Sequence, residues 1–162
     1  MRRILGLTLL FLAITVPLAL AAGTPTDGTL SVKRGRGALT LKVTGTIIVR
    51  VSNGRIQVRD FRPYDGNDPQ FSCTPAQRHR ISRQIVYCKG RNLGVRVENG
   101  RFTVNVRGTG ISISAVAHGQ VDIDGAGDTG VSDGVMSIDN APYQSLPDFL
   151  TTFYLGPPPP GS

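Results

Sequence analysis

An all-β, antiparallel sandwich is what this sequence predicts, and three observations carry that prediction. Apolar and polar residues alternate along most of the chain after residue 28, the signature of strands with one buried face. A ten-residue phrase, VRVSNGRIQV at 49–58, nearly recurs as VRVENGRFTV at 95–104, each copy broken in the middle by Asn-Gly. Beyond residue 22 no window of 11 or more residues carries a helical period. One-sided sheets must bury their apolar faces against each other, so a sandwich is expected in preference to a small closed barrel. A β-solenoid fits less well, because its coils need a fixed short period and the spacing between copies is irregular.

Taken in order, the chain begins with an export signal. Arg2 and Arg3 supply a positive start, Ile4 to Val16 an apolar core, and Ala19-Leu20-Ala21 a small-x-small cleavage site. Residues 1–21 therefore read as a signal peptide cleaved after Ala21 or Ala22, rather than as a retained anchor. Nothing after it is long and apolar enough to span a membrane. Residues 22–156 form one domain, and Pro157 to Pro160 with Gly161-Ser162 a Pro-rich tail of extended backbone.

Within the domain, TLSVKRGRGALTLKV at 29–43 reads as two short strands around a Gly-rich turn. The two near-copies read as hairpins, since Asn-Gly suits the positive φ angles of a two-residue turn. With Asn53-Gly54 at a tip, Val51 would face Ile56 and Val49 would face Val58. With Asn99-Gly100 at a tip, Val97 would face Phe102 and Glu98 would pair with Arg101. A worn third copy follows at 116–123, with His118-Gly119 at its tip. GISIS at 110–114 and GVMSID at 134–139 add further strands.

Residues 60–92 interrupt the repeats. Pro63, Asp65-Gly66 and Asp68-Pro69 mark turns, and residues 84–88 read as a strand. Cys73 and Cys88 are the only cysteines, and in an exported chain they are expected to form a disulfide. Closing such a loop stabilises a fold by about 3 kcal/mol on the chain-entropy estimate.

Charge is divided along the chain. All Lys and Arg beyond the signal lie between Lys33 and Arg107, whereas the stretch after Arg107 has only Asp122, Asp124, Asp128, Asp133, Asp139 and Asp148. The hairpin register would put Arg50, Arg55, Arg96, Arg101 and Arg107 on one polar sheet face, a platform for an anionic envelope polymer or lipid head groups. Nucleic acid is not expected, because an exported chain seldom meets it and no aromatic recognition motif is present.

Catalytic chemistry finds little support. His79 sits between two arginines, and His118 at a turn where side chains are solvated. No serine occupies a G-x-S-x-G elbow. Asp122 and Asp124 could serve a polysaccharide-acting hydrolase, but neighbours on one exposed strand do not flank a substrate bond. Calcium is the one candidate cofactor, with Asp122, Asp124, Asp128 and Asp133 as ligands on Gly-rich turns; EF-hand spacing is absent. The expected function is a non-catalytic module of the cell envelope or extracellular space, with the hydrolase and a calcium-binding β protein as alternatives.

GISISAVAHGQVDIDGAG at 110–127 and DNAPYQSLPD at 139–148, with GTLSVKRGRG at 28–37 and PYDG at 63–66, resemble a group of small exported all-β proteins of actinobacteria with no assigned activity. The resemblance covers most of the exported chain as a general pattern, without a diagnostic motif. It implies export and a β fold, and it brings no catalytic or binding residues with it.

Overall fold

The structure is a computed structural model that describes residues 27–126 and 134–157. Residues 1–21, expected to be a signal peptide, and tail residues 158–162 lie outside the described residues. The fold is all-β and antiparallel, and its sheet is not closed into a barrel.

Two long strands dominate: β1, Gly28–Asp60, and β4, Ile85–Ala126. Around them lie β2, Gln70–Ser72, a single 3-10 turn, Pro75–Gln77, and β3, Arg78–Arg80. The C-terminal part adds β5, Val135–Ile138, β6, Gln144–Ser145, and β7, Thr151–Leu155. A straight strand as long as β1 would span about 110 Å. It must bend to share a core with the rest of the chain.

The register shows how. β1 pairs with β4 on both of its sides: Val43 lies beside Phe102 and Gly119, and Val58 beside Val86 and Val104. The two strands thus form an antiparallel ribbon that coils upon itself, flattened into two layers. The front layer runs from β7 through residues 119–124, 38–44, 101–107, 55–60 and 85–89 to β3. The back layer runs from β6 through β5, residues 28–33, 111–117, 46–51 and 93–98 to β2. Short strands from the 60–92 insertion and from the C-terminal segment close all four edges, which leaves little exposed edge for pairing with another chain.

Glycines make the passage between layers possible. Gly125, Gly37, Gly108, Gly54 and Gly90 are successive neighbours across the ribbon at one rim. At Gly54 an added Cβ would meet the Arg107 carbonyl oxygen, and at Gly108 the Asn53 carbonyl oxygen, both closer than any side chain can approach. Backbone is packed on backbone there, so the bend tolerates nothing larger.

This revises the hairpins. Asn53-Gly54 is no hairpin tip: Asn53 pairs with Arg91 and Thr109, and Gly54 with Gly90 and Gly108, in one unbroken register. Val51 pairs with Leu93, and Ile56 with Cys88 and Val106, not with each other. Asn99, at φ 50°, sits in a bulge where β4 turns between layers, and Glu98 pairs with Arg96 instead of Arg101. His118-Gly119 likewise continues β4, and the Gly-rich stretch near Arg34 is a bulged bend within β1. The repeated phrase therefore encodes a bent strand that crosses from one layer to the other.

Alternation resumes on each side of every bend, which keeps the apolar residues inside. Val49, Val51, Ile56, Val58, Val95, Val97, Phe102 and Val104 all join one continuous core. Each such side chain stabilises the fold by about 1.5–3 kcal/mol when fully buried. The Cys73–Cys88 disulfide is formed, with Cα atoms 6.4 Å apart, and ties the insertion to the buried end of the front layer.

Candidate functional site

The bends decide where the arginines point. Residues of odd and even register exchange inward and outward roles at each bend, so positions five apart across Asn-Gly end on opposite outer surfaces. Arg55 and Arg107 are direct neighbours on the front layer, and Arg101 lies on the same surface beside Thr44. Arg50 and Arg96 project from the back layer. The single five-arginine face expected from the hairpin register is thus two faces.

The front face gathers more than charge. Arg55, Gln57, Asn105 and Arg107 line a depression of about 240 Å³. Arg55 Nη2 donates to Gln57 Oε1 at 2.6 Å, and its guanidinium lies 4.1 Å from the centre of the Tyr87 ring. His79 also stacks on Tyr87, with ring centres 4.8 Å apart. Arg59 and Arg101 lie 4.9 Å and 5.2 Å from the Phe61 ring centre. Aromatic rings thus back Arg55, Arg59, Arg101 and His79, at about 0.5–1 kcal/mol per exposed cation–π contact. Among the described residues no carboxylate pairs with Arg55, Arg59, Arg101 or Arg107.

At the opposite end of the same face, charge is balanced. Asp122 Oδ1 accepts from Gln120 Nε2 at 2.6 Å and Thr152 Oγ1 at 2.9 Å, and Lys42 Nζ donates to Oδ2 at 3.2 Å. Burial pushes this carboxyl up, but the hydrogen bonds and the Lys42 charge outweigh burial and hold it below the ordinary carboxylate value. An ionised, fully engaged carboxylate has no proton to lend at neutral pH. Asp124 is exposed on the same face, and both candidate acids point to solvent, as the strand period requires.

The calcium set does not assemble among the described residues. Asp128 and Asp133 lie outside them, and Asp122 is committed to Lys42, Gln120 and Thr152. No group of three His, Cys, Asp or Glu able to hold a metal occurs among the described residues.

The back face differs in kind. Arg96 pairs with Glu98. Arg50 lines a groove of about 480 Å³ with Arg34, Ser52, Ser72 and Ser112. Ile48 and Val116 are exposed on the same surface. His118 Nδ1 lies 3.0 Å from Asp27 Oδ1, a pairing its neighbours in sequence did not suggest.

Sequence reasoning missed one feature outright. Asp60, the last residue of β1, is only 6% exposed, and its Oδ2 is buried without a hydrogen-bond partner. Burial, followed by the charges of Asp65 and Asp68, raises its carboxyl above the ordinary value against the lowering effect of the Arg62 N–H. The signal was present: Ile56, Val58 and Asp60 share one register, and the first two point inward.

No protein-family model, curated protein or solved structure matches this sequence. Among the described residues no helix is long and apolar enough to cross a membrane.

Proposed function

We propose that the chain is an exported, non-catalytic module that holds an anionic polymer of the cell envelope or extracellular space across its front face. One observation carries this reading. Arg55 and Arg107 stand directly opposite each other in the ladder, and among the described residues neither forms an ion pair with a carboxylate. Like charges directly opposite one another destabilise a sheet, so the arrangement costs the fold something that a bound anion would return. The planar amides of Gln57 and Asn105 between them offer donors and acceptors to a polyhydroxylated chain. Tyr87 backs Arg55, and Phe61 backs Arg59 and Arg101, which lowers the ordering cost of binding. The disulfide fits an oxidising compartment. The engaged state of Asp122 weighs against the hydrolase alternative.

The test is co-sedimentation of the mature chain with isolated envelope polymer across a salt series. Beside the wild type stand an Arg55→Ala/Arg101→Ala/Arg107→Ala variant and an Arg50→Ala/Arg96→Ala variant. Wild-type binding should weaken steeply with salt, vanish in the triple variant and persist in the double variant. Equal loss in both variants, or no binding at low salt, overturns the reading. Anionic lipid vesicles in a parallel arm separate polymer from membrane surface.

A further inference from the structure

We propose that the cavity at the Asp60 end of the sandwich is a site for a carboxylated sugar unit, its hydroxyl donating to Asp60 Oδ2 and its carboxylate held by Arg78 and Arg80. The proposal rests on the polymer-binding reading and names the polymer as an acidic polysaccharide.

The cavity has a volume of about 90 Å³. It lies between the two layers where β2 and β3 close their edges, under the turn that leaves β1. Asp60, Tyr64, Asp68, Phe71, Arg78 and Arg80 are among its walls. Asp60 Oδ1 is used, accepting the Arg62 N–H at 2.8 Å, and Oδ2 is not. A buried oxygen left unpaired costs free energy comparable to a lost hydrogen bond or more. Asp60 lines the cavity, so a turn of its carboxyl group presents the unpaired oxygen to a donor there.

Charge narrows the donor. Arginines outnumber carboxylates on the walls, Arg83 included, so a bare cation is repelled. A simple anion would meet Asp60 and Asp68 and lacks a proton for Oδ2. A ligand that carries a hydroxyl next to a carboxylate satisfies both sets at once. Phe71 and Tyr64 give the apolar wall that a sugar ring's C–H face needs, with Arg78 stacked 5.3 Å from the Phe71 ring centre and Arg80 Nη1 3.5 Å from Tyr64 Oη. The volume exceeds what a single water needs and admits the edge of one ring bearing its carboxylate and one hydroxyl. The remainder of the unit stays outside.

The experiment uses the mature chain and free sodium glucuronate, which is too small to span the front face. Calorimetric titration and amide spectra follow binding, with glucose, sodium acetate and inorganic phosphate as controls. Glucuronate should bind at least tenfold more tightly than any control and shift the Arg62 amide. Asp60→Asn should weaken glucuronate at least tenfold, as should Arg80→Gln, a largely exposed change that spares the core. Wild-type melting temperature in either variant shows that the loss is local. Equal binding of glucuronate and acetate marks a general anion site and overturns the inference, as does unchanged affinity in both variants. The Arg55→Ala/Arg101→Ala/Arg107→Ala variant keeps the two readings apart. If it retains glucuronate binding but loses polymer, both stand; if wild type binds polymer but not glucuronate, only this inference fails.

Discussion

The two outer faces of the sandwich are cut from the same two strands, yet they carry different chemistry. The front face sets Arg55 against Arg107 and backs Arg55, Arg59 and Arg101 with Tyr87 and Phe61. The back face neutralises Arg96 with Glu98 and interrupts its polar surface with Ile48 and Val116. What separates them is the set of glycine bends, because each bend sends the next run of alternating residues to the other layer. A sheet built this way sorts charge by position between bends rather than by position in the sequence.

The largest effect should come from breaking a bend. Gly108→Ala places a Cβ against the Asn53 carbonyl oxygen and the Gly54 Cα, where both neighbours are backbone and neither can move alone. Overpacking of this kind costs about 1–3 kcal/mol, and the upper end is expected here; chemical denaturation of the variant measures it. Asn53→Ala, at the same bend but with an extended backbone and an exposed side chain, should cost under about 0.5 kcal/mol. Equal effects would mean that the rim is looser than its packing indicates, and that the sorting of the two faces is not enforced there.

Next in size is the contrast between faces themselves. Arg55→Glu with Arg107→Glu should lower affinity for an anionic polymer by about a hundredfold, or about 2.7 kcal/mol, because two cations are lost and two anions gained at the depression they line. Arg50→Glu with Arg96→Glu makes the same change of net charge on the other surface. Its effect should stay within about threefold, set by long-range field alone. Parallel binding isotherms at one ionic strength decide it, and a match between the two would reduce the front face to net charge without geometry.

How much of this was legible beforehand follows from particular residues. The inward set, from Val49 and Val51 through Phe102 and Val104, could be read from alternation alone, and the Cys73–Cys88 bond from their being the only two cysteines. Asn53-Gly54 was misread because a tight turn and a bent strand have the same local chemistry, and the partners that distinguish them, Gly90 and Gly108, are remote in sequence. The spacing of Gly37, Gly45 and Gly54 by eight and nine residues was a usable sign of half-turns of a coil. The arginine platform inherited the same error, since Arg50 and Arg55 share a face only if a hairpin joins them. Asp60 was legible too, as a carboxylate on the inward register, but a position at a strand end looks like the start of a loop.

The smallest expected effect concerns the two carboxylates whose surroundings act in opposite directions. Asp122, at the balanced end of the front face, is held below its ordinary value of 3.8. It contributes stability that is present above that value and is lost as pH falls through its folded-state pKa. Asp60, buried at the insertion end, is held above 3.8. The folded state binds its proton more tightly than the unfolded chain does, so its contribution moves the other way: stability declines as pH rises from 3.8 through its folded-state pKa and is lower at neutral pH. Asp122→Asn should therefore destabilise at pH 7 by about 1 kcal/mol, the scale of one hydrogen-bonded charge network at a partly exposed site. Asp60→Asn should leave stability at pH 7 unchanged or slightly raised, because the amide keeps an acceptor for the Arg62 N–H and removes the buried charge. Thermal melts from pH 3 to pH 7 would resolve the two: the Asp122→Asn deficit should shrink toward acid, and any Asp60→Asn gain should shrink with it. Deficits of equal size and equal pH dependence would place both carboxylates in the same kind of environment, which the hydrogen bonds around them contradict.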